Sequence, residues 1–111
     1  MKQLLSGYNE IHNLKLVHRD LKLANVFVKK GKIKIADFGF AIDASKCEQK
    51  FTYNVGSPYY MPPESLKQNR YSYKSDIWAL GVIAYELVHG KAPWKDKNDA
   101  ILFEKITTTS V

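Results

Sequence analysis

Residues 18–25 read His18-Arg19-Asp20-Leu21-Lys22-Leu23-Ala24-Asn25, and Asp37-Phe38-Gly39 follows twelve residues after Asn25. The carboxylate of Asp20 can accept a hydroxyl proton, and the ammonium of Lys22 can hold a phosphate. Asn25 and Asp37 supply amide and carboxylate oxygens, which are the hard ligands that Mg²⁺ prefers. Either motif alone would mean little. The two motifs in this order and spacing are a strong signal for phosphoryl-transfer chemistry.

The residues between the two motifs predict a β-hairpin. Val26-Phe27-Val28 is typical of a short strand, and Ile33-Lys34-Ile35-Ala36 alternates as a returning strand should. Between them lies a turn in which Gly31 is free to adopt a positive φ. Asn25 would therefore enter the hairpin and Asp37 would leave it, so that both reach one site.

Helical patterns surround this hairpin. Helices are predicted over residues 2–13, from Pro62-Pro63-Glu64, from Ser75 to His89, and from about Asn98 to Ile106. The first has apolar residues at helical spacing, and the third has Ser75 as its candidate N-cap and Gly90 as its terminator. The third is also apolar nearly all round, which is typical of a helix in the middle of a domain. Residues 40–61 are polar and irregular.

The composition of the 111 residues is that of a globular protein, with 45% hydrophobic residues and a formal net charge of +6. The lysines of residues 29–34 lack the arginine and aromatic interleaving of a nucleic-acid-binding face, so a solvated basic surface is the simpler interpretation. The single Cys47 excludes a disulfide within the chain and fits a reducing compartment. The apolar run from Ile77 to Val88 is too short to span a bilayer. We therefore expect a cytoplasmic protein without a nucleic-acid partner or a transmembrane segment.

Two further stretches follow the opening motifs: Gly56-Ser57-Pro58-x-Tyr60-Met61-x-Pro63-Glu64 and Ser75-Asp76-Ile77-Trp78-Ala79-Leu80-Gly81. With them, residues 1–106 resemble the middle of a eukaryotic protein kinase of the serine/threonine type. The resemblance implies ATP and Mg²⁺ as cofactors and proteins with Ser or Thr hydroxyls as substrates.

The resemblance also implies a role for each motif residue. Asp20 would accept the proton of the substrate hydroxyl, and Lys22 would stabilise the γ-phosphate. Asn25, the third member of the catalytic set, would hold Mg²⁺ together with Asp37. Phe27 would lie under the adenine. Lys22, Asn25, Phe27 and Asp37 would thus form the cofactor-binding set.

Other residues would support this set. His18 and Phe38 would pack against one another, and Asp76 would accept hydrogen bonds from the backbone of the His-Arg-Asp turn. The alternative for Asp76 is charge complementarity at a helix N-terminus. Ser57 would donate to the loop near Asp20 as part of the substrate pocket.

Regulation is implied by Arg19, because an arginine beside the catalytic aspartate usually pairs with a phosphate in the activation segment. The alternative is a local salt bridge, since arginine pairs readily with any oxyanion. The commonest phosphorylated position of the family falls on Tyr53, three residues before Gly56. We favour Thr52, one residue earlier, and place Ser45 third. An activating kinase or autophosphorylation would supply the phosphate.

The implied fold class is α+β: a mainly helical C-lobe portion of the protein kinase fold, in which a small β-hairpin carries the catalytic and metal-binding loops. Residues 1–111 would form a partial protein kinase domain, with the N-lobe and the end of the C-lobe outside them. We therefore expect the 111-residue chain alone to be inactive. The alternative is a catalytically inactive, kinase-derived binding or regulatory module. Residues 37–41 and 56–61 further resemble the autophagy-initiating kinases.

Overall fold

The first helix, α1 (Lys2–Asn13), has the predicted bounds in the computed structural model, which describes residues 2–46 and 55–108. Its buried residues are Leu4, Tyr8 and Ile11. Their spacing of four and three residues places them on one face, which packs against the hairpin and the long helix that follow. The amphipathic pattern therefore predicted the helix and the burial of these three residues, whereas Leu5 and Leu14 of the same pattern are exposed.

Four short strands form two antiparallel pairs. They are β1 (Leu16–Val17), β2 (Val26–Lys29), β3 (Lys32–Ile35) and β4 (Ile42–Asp43). The predicted hairpin is the β2–β3 pair, which runs from Val26 opposite Ile35 to Lys29 opposite Lys32. Lys30 and Gly31 both have positive φ, 52° and 73°, as a two-residue type I′ turn requires.

The β1–β4 pair differs from the sequence prediction, in which residues 40–61 are irregular. Val17 lies opposite Ile42, and Leu16 opposite Asp43. Strands of two residues are too short to show an alternating pattern, so the sequence carries no periodic signal for them.

Three more helices complete the described chain: α2 (Pro63–Gln68), α3 (Tyr73–His89) and α4 (Asp99–Thr108). The predicted start of α3 is wrong. Its N-cap is Ser72, whose side chain accepts a hydrogen bond from the Lys74 amide, and Ser75 completes a capping box by accepting from the Ser72 amide. Gly90 ends α3 as predicted, with φ 77°.

The core consists of two clusters. One joins α1, the loop after β1 and α3 through Leu4, Tyr8, Ile11, Leu21, Ala79, Leu80 and Ile83. The other joins α2 and α4 through Met61, Leu66, Leu102 and Ile106. Only one side of α3 is covered by the described residues, since Ile77, Leu87 and Val88 are more than half exposed. The fold is therefore a mixture of helices and small antiparallel sheets, and no described helix has the length and apolarity needed to cross a membrane.

Candidate active site

The His-Arg-Asp turn is held by a buried carboxylate from α3. Asp76 Oδ2 accepts a hydrogen bond from the His18 amide at 2.8 Å, and Oδ1 accepts one from the Arg19 amide at 3.0 Å. This confirms the contact predicted for Asp76, which is 1% exposed. Burial raises the pKa of Asp76, while the donated hydrogen bonds act in the opposite direction and favour the carboxylate.

The His18 side chain connects this turn to the segment before Asp37. Its Nδ1 accepts a hydrogen bond from the Asp20 amide at 3.1 Å, which leaves Nε2 to donate to the Ala36 carbonyl at 3.0 Å. Its ring also lies 5.0 Å from that of Phe38, centroid to centroid, which confirms the predicted packing. The two sequence motifs are therefore in direct contact.

Asp20 and Asn25 lie side by side, 6% and 7% exposed. The Nδ2 of Asn25 donates to the Asp20 carbonyl at 2.9 Å and approaches Oδ2 of the Asp20 carboxylate at 3.4 Å. Because the amide nitrogen is used in this way, Oδ1 of Asn25 stays available as an acceptor. Asn25 thus fixes the loop that carries Asp20 and still presents the atom that a cation would need.

A cation and a hydroxyl stand on the other side of the Asp20 carboxylate. Lys22 Nζ donates to Ser57 Oγ at 3.1 Å and lies 4.0 Å from Asp20 Oδ1. Ser57 Oγ in turn lies 3.4 Å from the same carboxylate oxygen, and so can donate to it. The predicted contact of Ser57 with Asp20 and Lys22 is confirmed, whereas its role in a substrate pocket stays a prediction.

Gly56 makes this approach of Ser57 possible. Its φ is 95°, and a Cβ placed on it would lie 2.3 Å from the Arg19 carbonyl oxygen. Any side chain would collide with backbone there, so glycine is required for the two loops to meet.

Asp37 follows shortly after the end of the β2–β3 hairpin. The Ala36 amide donates to the Asn25 carbonyl at 2.9 Å, one residue beyond the pairing of Val26 with Ile35. Asn25 and Ala36 therefore lie at the same end of the β2–β3 hairpin. Asp37 itself has φ 61°, and its Oδ1 accepts from the Gly39 amide at 3.3 Å. Phe27 lies on β2 opposite Lys34 with 52% of its surface exposed, outside the hydrogen bonds described around Asp20.

The donor chemistry of Asn25 and Asp37 fits Mg²⁺, which is bound in proteins by few side-chain oxygens together with phosphate and water. Within the described ranges, no group of three or more His, Cys, Asp or Glu side chains could hold a metal ion.

Arg19 turns toward the segment after Asp37. Its Nε donates to the Phe40 carbonyl at 2.7 Å, and its Cζ lies 5.1 Å from the centre of the Tyr71 ring. Thr52 and Tyr53, the predicted phosphorylation sites, lie outside the described residues, as does Cys47. The regulatory roles of Arg19, Ser45, Thr52 and Tyr53 stay predictions.

Two tyrosines near the site were not predicted to have polar roles. Tyr8 of α1 donates from its hydroxyl to Asp76 Oδ2 at 3.1 Å. The Tyr60 hydroxyl is hydrogen-bonded to Glu86 of α3. Burial is the larger cause and the Glu86 carboxylate the next, and together they raise the pKa of Tyr60 to about 12. A tyrosine at a buried position of a helix predicts a hydrogen-bond partner for its hydroxyl, because a buried phenol usually has one.

Comparison with known proteins places this geometry in a family. The model for the protein kinase domain matches residues 1–111. The chain is 39% identical to serine/threonine-protein kinase shk1/pak1 of Schizosaccharomyces pombe, over 87% of this chain and 15% of the relative. It is 42% identical to serine/threonine-protein kinase ppk11 of the same yeast, over 85% of this chain and 30% of the relative. It is 39% identical to serine/threonine-protein kinase pakC of Dictyostelium discoideum, over 86% of this chain and 20% of the relative.

The chain belongs to the protein kinase domain family. The resemblance to the serine/threonine type, inferred from the motifs, is confirmed by these relatives. The chain spans less than a third of the length of each of the three. The resemblance to autophagy-initiating kinases stays a prediction.

Proposed function

We propose that these residues form the catalytic-loop part of the C-lobe of a protein serine/threonine kinase. Within a complete kinase domain they would transfer the γ-phosphate of ATP to Ser or Thr hydroxyls of proteins. The observation that supports this most directly is the surroundings of the Asp20 carboxylate. It lies between a lysine, a serine hydroxyl and an asparagine amide, in a loop anchored by the buried Asp76.

Asp20 would orient the substrate hydroxyl by accepting its hydrogen bond and would take its proton as the phosphate is transferred. Lys22, whose Nζ stands 4.0 Å from Asp20 Oδ1, would neutralise charge that develops on the moving phosphoryl group. Asn25 and Asp37 would hold Mg²⁺, which when bound supplies charge neutralisation at the phosphates. Phe27 would contact the adenine through its exposed ring.

Phosphoryl transfer depends mostly on positioning and electrostatics, and the site is well arranged for both. The loop has three separate restraints: the Asp76 carboxylate on its backbone, the His18 ring on the Asp20 amide, and Asn25 on the Asp20 carbonyl. Asp20 is therefore held before any substrate arrives.

The test is transfer of γ-³²P from ATP to a Ser/Thr peptide by the complete kinase domain that contains these residues. We expect Asp20→Asn to lower kcat by about 10²–10⁴-fold, the usual contribution of a general base. Asp99→Asn makes the same chemical change at an exposed position at the start of α4, and should leave the rate unchanged. Equal rates for Asp20→Asn and the unmodified domain would refute the assignment.

A non-catalytic binding module is the second candidate, and the exposed apolar side of α3 favours it. Under that alternative the unmodified domain and its Asp20→Asn variant would bind the partner equally well, and neither would transfer phosphate. Phosphate transfer that is lost in Asp20→Asn excludes this alternative.

A further inference from the structure

A tyrosine of α1 donates to the same carboxylate that holds the catalytic loop. Tyr8 Oη lies 3.1 Å from Asp76 Oδ2, the oxygen that also accepts from the His18 amide at 2.8 Å. The other carboxylate oxygen accepts from the Arg19 amide at 3.0 Å. We propose that Tyr8 is a positioning residue, which fixes the Asp76 carboxylate in the orientation that holds the His18-Arg19 backbone and, through it, Asp20.

Burial makes the third donor important. Tyr8, Asp76 and His18 are 4%, 1% and 0% exposed, so water has little access to replace a missing hydrogen bond. A carboxylate removed from water must be compensated by donors, and each donor that is lost leaves the charge less stable. Tyr8 supplies the only one of the three bonds that comes from a side chain, and it comes from a different helix.

The backbone that Asp76 holds is itself strained. Arg19 has φ 70°, in the left-handed region that non-glycine residues rarely occupy. Such a conformation persists only when several contacts support it. The next residue is Asp20, so a carboxylate that can rotate would release the Arg19 backbone and shift Asp20 with it. Tyr8 prevents that rotation by tying Oδ2 to α1.

The charge on Asp76 gives this role a measurable signature. The ionisable groups around the carboxylate are Tyr8 from α1, and His18, Arg19 and Asp20 from the loop, with Tyr60 and Tyr71 lining the same small cavity. Burial raises the pKa of Asp76, and the Tyr8 hydroxyl lowers it. Loss of that hydroxyl should therefore raise the pKa further. Its effect should be largest where the carboxylate is ionised, and should shrink as Asp76 becomes protonated.

The experiment is amide hydrogen exchange in the 111-residue chain, comparing Tyr8→Phe with the unmodified protein. We expect the His18 and Arg19 amides to exchange at least tenfold faster at pH 7, relative to the Ile83 amide of the same core cluster. This ratio should fall toward one as the pH is lowered through the pKa of Asp76. Tyr71→Phe is the matched control, because its hydroxyl bonds to the Val55 backbone. It should leave the ratio unchanged.

An equal acceleration of all core amides, independent of pH, would mean that Tyr8 acts only in packing, and would overturn the proposal. Unchanged exchange at His18 and Arg19 would overturn it as well. If Tyr8→Phe fails to fold, site-specific 3-fluorotyrosine at position 8 keeps the hydroxyl and makes it a stronger donor. Exchange at His18 and Arg19 should then slow relative to Ile83, and an unchanged ratio would contradict the role.

The catalytic consequence rests on the function proposed above. In the complete kinase domain, Tyr8→Phe should lower kcat several-fold, because it displaces Asp20. Hydrogen exchange needs no nucleotide, so the two ideas can fail separately. Retained activity in Asp20→Asn would remove the function and leave the Tyr8 result standing.

Discussion

Lys22 donates from Nζ to the hydroxyl oxygen of Ser57 over a distance of 3.1 Å, although the two residues are 35 positions apart in the chain. Ser57 follows Gly56, at which the backbone passes close to the Arg19 carbonyl, and Lys22 lies in the loop after β1. Their hydrogen bond therefore joins the loop that carries Asp20 to the segment that precedes α2. Asp20 lies next to both side chains, so this bond also keeps a cation and a hydroxyl beside its carboxylate.

Ser57→Ala should lower kcat/KM of the complete kinase domain about tenfold or more, since a hydrogen bond to a charged group contributes about 1.5 kcal/mol or more. The change removes both the acceptor for Lys22 and a donor for Asp20. Ser57→Thr keeps the hydroxyl and should retain most of the activity. Steady-state phosphate transfer to a peptide measures both variants, and equal losses for the two would show that the hydroxyl is not what matters.

Gly56→Ala should lower the free energy of unfolding by more than the matched change Gly31→Ala. Both glycines have positive φ, so both alanines carry the conformational cost of about 1–2 kcal/mol. Only at position 56 would the new Cβ also meet backbone, at 2.3 Å from the Arg19 oxygen, whereas nothing lies within 4 Å at Gly31. Urea denaturation of the two variants compares them directly, and similar midpoints would be evidence against the tight crossing.

Ser72→Ala should destabilise the chain by about 1 kcal/mol, the usual cost of losing an N-cap. Its side chain accepts from the Lys74 amide, and no other group at the start of α3 replaces it in the described structure. Ser6→Ala, at an exposed position inside α1, should be neutral or slightly stabilising because alanine is the better helix former. Thermal unfolding followed by circular dichroism distinguishes the two. A larger loss for Ser6→Ala would contradict the observed cap.

Tyr60 should lose its hydroxyl proton at a higher pH than an ordinary tyrosine does. Its pKa is raised to about 12 by burial and by Glu86, against about 10 for an ordinary tyrosine. Since the folded state holds this proton more tightly than the unfolded state, Tyr60 contributes stability that is fully present below pH 10 and is lost as the pH rises toward 12. Tyrosinate absorbance, compared between the unmodified chain and Tyr60→Phe, gives the pKa directly. A difference spectrum with a midpoint near 10 would contradict the prediction.

Asp37→Ala should raise the Mg²⁺ concentration needed for half-maximal phosphate transfer by the complete domain, and should lower the maximal rate at least 100-fold. The reason is that Asp37 would supply the one carboxylate of the proposed two-residue cation site. Asp99→Ala, at the exposed start of α4, is the control. An unchanged Mg²⁺ dependence in Asp37→Ala would remove the metal assignment and leave that of Asp20 untouched.

The sequence predicted most accurately those parts of the fold that local patterns determine. The bounds of α1 and the β2–β3 hairpin follow from periodicity and from Gly31, and both are confirmed. The contacts of Asp76 and of His18 with Phe38 followed from the family resemblance and are confirmed too. The roles of Asp20, Lys22, Asn25 and Asp37 stay predictions, because no ligand contact tests them.

The start of α3, the β4 strand and the Tyr8 hydrogen bond depend on contacts in space that a single sequence does not show. Ser72 and Ser75 are both good capping residues, and only their reciprocal hydrogen bonds show which one begins α3. The β4 strand exists because Ile42 meets Val17 in space. The sequence does not predict the hydrogen bond of the Tyr8 hydroxyl, because the position of Tyr8 on the apolar face of α1 already explains its burial.

The hydrogen bond between the Ala36 amide and the Asn25 carbonyl, at the end of the β2–β3 hairpin, bears on which parts of the hairpin can change in sequence and length. The two candidate cation ligands stand at the open end of the hairpin, and the Lys30-Gly31 turn stands at the closed end. Their separation is therefore set by strand pairing and does not depend on the length of the turn. Extra residues could be accommodated at Lys30-Gly31 without moving either ligand, so this tip is a place where the surface of the protein can change while its chemistry is preserved.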